Sequence, residues 1–237
     1  MITPLFGRKE PKDRPWEDKY GFCKLGLATV DRVETRVLVP VWKYEQIGQS
    51  CVGYSSVTQM TIYNVRHLGS RPINRWFKYD GTWLYQQSCL NDGDPNNDPP
   101  VDIGTYVWAA FWCLNHLGLK KLSEREPHMA DGIANYYWCK TVDDMRTAFS
   151  LNRMVVLGTN WSANMMNPYK VGNEWWINTG GEILGGHAYC TIAASDRRQA
   201  FKMRNTWPGY PDVWFSYNMA ETLLLQGGEA CVAIDIV

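Results

Sequence analysis

Gln46-Ile47-Gly48-Gln49-Ser50-Cys51-Val52-Gly53-Tyr54-Ser55 is where a polar, proline-punctuated beginning gives way to a long helical pattern. Val52, Tyr54, Val57, Met60, Ile62 and Val65 recur at near-helical spacing up to Leu68, with Ser50 as N-cap and Gly69 where a left-handed residue closes a helix. The spacing predicts a mostly buried helix over 50–68 and puts Cys51 in its first turn. Unpaired N–H groups and the helix dipole favour a thiolate there. A small buried hydrophobe is the other reading of a cysteine beside an apolar face.

Working outward, residues 1–37 read as an extended arm lying on the body. Residues 38–150 form a helical half. Thr105 caps a second helix running through Val107, Ala110, Phe111, Leu114 and Leu117 to Gly118, and Thr141 with Asp144 opens a third as a capping box. Residues 69–103 are dense in turn formers and read as a long surface excursion without a continuous regular element. Residues 151–237 form a β-rich half, with short runs at 154–158, 175–177, 187–194, 200–204, 213–217 and 230–237 and a short helix at 219–226. The expected architecture is α+β, one domain with a cleft between a helical and an antiparallel β half.

Composition excludes several classes. The chain has 237 residues, 45% hydrophobic and 20% charged, and 24 lysines and arginines balance 24 aspartates and glutamates. That is a soluble globular composition with no apolar membrane span and no clustered basic surface for nucleic acid. Pro4 and the charges that follow it do not make an export signal, so a cytoplasmic location is expected. Seven cysteines, an odd number without a C-x-x-C spacing, predict free thiols and no zinc site. No metal or other cofactor is expected, and the Asn160-Trp161-Ser162 sequon reads as accidental. Asp92, Asp94, Asn96 and Asp98 begin like a calcium loop, but Asn97 and Ile103 stand where glycine and glutamate are needed.

Of the four histidines, His67 and His116 fall in last helical turns and His128 in a polar loop. His187 follows Gly185-Gly186 and opens an apolar strand, which holds its ring on a rigid element. Asn205 ends the neighbouring strand. Its oxygen, accepting the Nδ1 proton of His187, would aim Nε2 at the Cys51 sulfur, and Trp207 would keep water off that bond. A core histidine and a turn asparagine are the plainer readings. Twelve tryptophans are mostly core, with Trp161 and Trp175 kept as cleft residues.

Together Gln46 to Ser55, Gly185-Gly186-His187-Ala188 and Arg204-Asn205-Thr206-Trp207 resemble the glutamine-to-nucleophile, histidine and asparagine segments of the papain family of cysteine peptidases. His187 follows Cys51 by 187 − 51 = 136 residues, within the roughly 130–150 typical of papain-like enzymes. The arm's Lys12 to Asp18 is similar to the leader of compact prokaryotic and phage members, which lack a long inhibitory propeptide and would act in a host cytoplasm or virion. Departures are Val52 for an aromatic residue, and Gly48 where secreted members carry a bridging cysteine. Glu45 stands at the usual oxyanion-glutamine position, so Gln46 takes that role through a one-residue deletion, with Gln49 its rival.

The resemblance implies a papain-like endopeptidase with Cys51 as nucleophile, His187 as acid and base, and Asn205 as orienter. Its partner would be a peptide or protein substrate. Gly186, Trp161, Trp207 and Asp94 would touch substrate, and the acidic stretch at Asp92, Asp94 and Asp98 would favour lysine or arginine on the acyl side. An amidase or acyltransferase on the same three residues, as for cell-wall peptide, and an inactive peptide-binding scaffold are the alternatives.

Overall fold

The computed structural model describes residues 6–9, 32–36, 42–67, 78–99 and 101–234, with side chains in the first helix described to residue 63. Lys12 to Asp18, Cys23, Gly69 and the last three residues lie outside the described residues. Within them the chain forms a mixed α+β structure of five α-helices and a nine-stranded sheet.

Helix α1 (Cys51–His67) matches the predicted span to within a residue at each end. It is buried on all sides through residue 63, and several of its polar side chains find backbone partners there. Ser55 donates to the Val52 carbonyl, Thr58 to Tyr54, and Gln59 Nε2 to Met154 at 2.8 Å. Helix α2 (Gly81–Leu90) corrects the reading of 69–103 as irregular. The turn formers lie outside 81–90, and Asp80 caps the helix by accepting from the Trp83 N–H at 2.9 Å. A Cβ on Gly53 would sit 2.2 Å from the Gly81 carbonyl, and one on Gly81 would strike the Tyr54 ring, so the two glycines set how closely α1 and α2 approach.

Helix α3 (Val107–His116) has Tyr106, not Thr105, as its N-cap residue, with the Thr105 hydroxyl given to Asp92 instead of the helix end. Helix α4 (Val142–Ser150) has the predicted Thr141–Asp144 capping box, and α5 (Tyr217–Leu225) is capped by Ser216. The strands are β1 (Glu34–Arg36), β2 (Asn135–Trp138), β3 (Val155–Ser162), β4 (Tyr169–Val171), β5 (Glu174–Trp176), β6 (Ile183–Ser195), β7 (Ala200–Arg204), β8 (Val213–Ser216) and β9 (Glu229–Ile234). They run in the order β2-β9-β3-β6-β7-β8-β5-β4, with β1 also on β6. All pairs are antiparallel except β5 with β8.

Side-chain alternation along the central strands divides the core in two. Val155, Leu157 and Tyr189 join Phe149, Phe201 and Phe215 on one side of the sheet, whereas Val156, Ala188 and Cys231 meet the helices α1 and α3 on the other. Each large side chain so buried contributes on the order of 2–3 kcal/mol by transfer from water. The central strand β6 thus touches the core of α1 through Ala188 while its next residue faces the opposite core.

Candidate active site

Cys51 begins α1 with its sulfur wholly buried, and the Ala188 N–H donates to Sγ at 3.4 Å. His187, one residue earlier on β6, is equally buried. Its Nε2 lies 2.9 Å from Asn205 Oδ1. The Trp207 N–H donates to the same oxygen at 3.1 Å, which identifies that atom as the acceptor and Nε2 as the protonated ring nitrogen. The expected orientation of the ring is therefore reversed. Nε2 is the outer nitrogen and reaches Asn205 beyond the end of β7. Nδ1, nearer the backbone that contacts Cys51, is the unprotonated nitrogen and has no hydrogen-bond partner among the described residues.

Aromatic rings fix the imidazole. Trp207 stacks on it with centroids 4.2 Å apart, and Trp161 meets it edge-on at 4.9 Å. Trp161 was expected to line the cleft; it is fully buried on β3 and packs behind the histidine, against Trp207 and Tyr189. Trp175 lies on β5, with Lys170 over its ring.

The segment before Cys51 is fastened to the segment after β7. Gln46 donates its backbone N–H to the Thr206 carbonyl at 2.9 Å and accepts the Thr206 hydroxyl on Oε1 at 2.8 Å. Its Nε2 donates to the Gly48 carbonyl. Lys43 adds an ion pair to Asp212, itself paired with Arg204 at the end of β7. Gln49, the rival for the oxyanion, turns its amide to the Asp102 carbonyl at 2.7 Å, while Gln46 stays buried between the two segments.

Residues 6–9 lie across this constellation, a feature that composition and spacing did not reveal. Arg8 N–H donates to the Gly186 carbonyl at 3.0 Å, Lys9 N–H to the Thr105 carbonyl at 2.8 Å, and Thr105 N–H to the Gly7 carbonyl at 2.8 Å. The bridge between Arg8 and Thr105 is parallel. Gly7 N–H faces the Cys51 sulfur, and Phe6 packs edge-on against Trp207 at 5.7 Å. Glycine is required along this track: a Cβ on Gly186 would sit 2.0 Å from the Arg8 carbonyl oxygen, and one on Gly7 would sit 1.5 Å from the Gln49 oxygen.

Burial sets the charge state. It pushes the Cys51 thiol up to about 11, against opposing donation from the Ala188, Gly7 and Val52 N–H groups. The first-turn position alone had suggested a lowered value, but desolvation outweighs the helix end here. Burial likewise pushes His187 down to about 3, opposed by its bond to Asn205. Thiol and imidazole are both neutral in this arrangement at neutral pH.

The carboxylates at 92–102 are mostly spent on local structure. Asp92 is buried and accepts from Thr105 and the Asp94 N–H, and Asp102 accepts from Gln49 and Tyr85. Asp94 faces the segment across the cleft, with Lys9 Nζ at 2.7 Å. Among the described residues no helix is long and apolar enough to cross a membrane, and the six described cysteines form no disulfide with one another.

Xylellain, a cysteine protease from Xylella fastidiosa, shares this architecture with a TM-score of 0.72 at 14% identity, over 98% of this chain and 96% of that one. ProCathepsin B S9 from Trypanosoma congolense matches with a TM-score of 0.60 at 12% identity, over 98% and 87% of the two chains. The digestive procathepsin L2 proteinase of Tenebrio molitor larval midgut gives 0.62 at 13%, over 98% and 78%. No protein-family model and no curated protein sequence matches the chain. The chain has the papain-like α+β fold.

Proposed function

We propose that the chain is a cysteine endopeptidase that hydrolyses peptide bonds through Cys51, His187 and Asn205. The observation that carries this reading is one arrangement: a helix-initial thiol against the strand that bears a histidine, whose outer nitrogen is held by a buried asparagine. The fold shared with cysteine proteases supports it.

In the mechanism, unprotonated Nδ1 takes the thiol proton as sulfur attacks the substrate carbonyl. The Cys51 backbone N–H and the Gln46 side chain receive the developing oxyanion, each such donor contributing on the order of a hundred- to thousandfold in rate. His187 then gives that proton to the leaving amine, and the thioester remains. Water, deprotonated by His187, attacks the thioester and releases the acid and the free thiol. Asn205 fixes the tautomer throughout, and Trp207 shields that bond from solvent.

Residues 6–9 hold the cleft closed in this reading. The Gly7 carbonyl, nearest in sequence to the N–H that faces the sulfur, is given to Thr105. Free cysteines suit a reducing compartment such as the cytoplasm. The test is digestion of an unfolded protein by purified Gly7→Ala chain, in which residues 6–9 are loosened from the cleft, and by the same chain carrying Cys51→Ala, with products sequenced by mass spectrometry. Internal peptide-bond cleavage lost in the variant is expected; no cleavage, or cleavage that persists in Cys51→Ala, overturns the reading.

A further inference from the structure

The side chain of Arg8 enters a pocket that the mechanism above does not use. Arg8 and Glu229 are both wholly excluded from solvent, with Nε 3.2 Å from Glu229 Oε2 and Nη2 2.7 Å from the Gly227 carbonyl. Glu229 opens β9 opposite Gly158 of β3, and its two carboxylate oxygens also face the Val107 and Trp108 N–H groups at 3.4 Å, at the start of α3. The carboxylate is thus held from both sides of the cleft. A Cβ at Gly158 would come within 3.1 Å of both Arg8 Cγ and Nε, and one at Gly186 within 3.2 Å of Cδ, so missing side chains make the room in which the arginine lies.

Two further observations make this more than a local ion pair. The pocket is one residue from the nucleophile, since the N–H of Gly7, next to Arg8, faces the sulfur. The backbone groups that hold Arg8 and its neighbours, the Gly186 carbonyl and the Thr105 N–H and carbonyl, are the edge along which any extended peptide would bind. The adjoining Lys9 also finds an acid, with Nζ 2.7 Å from Asp94 and 3.7 Å from Asp92. Successive residues of the segment thus meet successive acidic seats.

We propose that the cleft reads a pair of basic residues in its substrates, an arginine in the Glu229 pocket and a lysine or arginine beside Asp94. The inference rests on the peptidase reading for its direction. His187 must protonate the leaving amine, and Trp207, stacked on His187, packs against Phe6, so the leaving side is Phe6's and the acyl side is that of Arg8 and Lys9. A cut substrate therefore runs basic residue, arginine, one further residue, scissile bond, opposite in direction to the parallel segment that fills the cleft. Empty, the pocket would leave Glu229 a buried carboxylate with two long N–H contacts, an arrangement that calls for a cation and penalises an apolar side chain.

The test uses the full chain carrying Cys51→Ala, to prevent turnover, and Arg8→Ala, to vacate the pocket. Fluorescent pentapeptides with arginine, its neutral isostere citrulline, or leucine at the pocket position are titrated by anisotropy at low salt. The arginine peptide is expected to bind at least about tenfold tighter than the citrulline one, and Glu229→Gln on the same background to remove the difference. Asp94→Asn should weaken preference for lysine at the preceding position alone. Equal binding of arginine and citrulline peptides, binding of neither, or a preference unchanged by Glu229→Gln overturns the proposal; the first comparison needs no Glu229 variant and stands even if that variant misfolds. Turnover of the same peptides by Arg8→Ala with Cys51 intact separates the two readings. Arginine-selective binding without cleavage sinks the peptidase reading, and cleavage indifferent to arginine sinks only the pocket.

Discussion

Trp207 stacks on His187 at 29° between ring planes, and its backbone N–H donates to the Asn205 oxygen that holds the same histidine. One residue covers the imidazole and fixes the amide that orients it. The two contacts are separable: displacing the indole uncovers the ring, while the backbone N–H still holds its partner.

Cys51→Ala and His187→Ala are expected to lose turnover while keeping the wild-type circular dichroism spectrum, because nucleophile and base fail together. Asn205→Ala should retain activity lowered by about a hundredfold or less, the scale of a misplaced but present group. Steady-state rates on one peptide decide it; an Asn205→Ala enzyme as inactive as Cys51→Ala would mean the asparagine does more than orient.

Gly7→Ala should open the cleft. Its Cβ would meet the Gln49 carbonyl at 1.5 Å, and overpacking of that kind costs about 1–3 kcal/mol, equivalent to a roughly 5- to 150-fold larger open population. Alkylation of Cys51 by iodoacetamide, followed by intact mass and peptide mapping, should accelerate accordingly. An unchanged rate would mean that residues 6–9 do not control access.

The same reaction carries a pH signature. With Cys51 held near 11 by burial, wild-type labelling should climb steadily from pH 7 to pH 11, and the midpoint should fall in Gly7→Ala as water reaches the sulfur. His187 acts on stability in the other direction. The folded ring stays neutral down to about 3 while an unfolded one titrates near 6.5, so the unfolded state takes up the extra proton between these values. Stability should fall as pH drops from about 6.5, by up to about 1.4 kcal/mol per unit, and melting temperatures of His187→Gln should fall less steeply.

Asp196 gathers Arg146 through Nε at 2.9 Å and Nη2 at 2.7 Å, the Val33 N–H and the Tyr217 hydroxyl, and so fastens β1, α4 and α5 to the turn after β6. Asp196→Ala should cost about 2–3 kcal/mol, a fall of roughly 4–12 °C in melting temperature for a chain of this size. These donors hold the carboxyl below its usual range despite partial burial, so its contribution should be present above pH 4 and lost as acid protonates it.

All seven cysteines should alkylate under denaturing, non-reducing conditions, each gaining one adduct by mass spectrometry. A protected pair would overturn the expectation of a reduced chain.

The fold was legible wherever local chemistry and tertiary packing agree. Near-helical spacing from Val52 to Ile62 and the Thr141–Asp144 box found α1 and α4, and β-rich runs found β3, β6, β7, β8 and β9. Helix α2 was hidden because Gly81-Thr82-Trp83-Leu84-Tyr85-Gln86-Gln87-Ser88-Cys89-Leu90 has little one-sided polarity and sits among turn formers; contact with α1 and the Asp80 cap decide it. At the site, Cys51, His187 and Asn205 could be picked by residue type and order. The ring's orientation could not, since it depends on which of two nitrogens the backbone carries toward the thiol. Glu229 was missed altogether because its partner is 221 residues away, and a single glutamate opening a strand carries no local signal of burial.

Strand β1 bonds to β6 through Glu34, Thr35 and Arg36, while residues 6–9 sit in the cleft of the same chain. In the proposed reading the covering segment is tethered at its far side and would compete with substrate at an effective concentration set by the intervening chain, whatever the amount of protein in solution. Dilution cannot relieve such an inhibitor, and its binding is first order in protein. Scission of the tether, or a ligand that outcompetes a permanently local rival, would turn the closed chain into an open one without any change in its sequence.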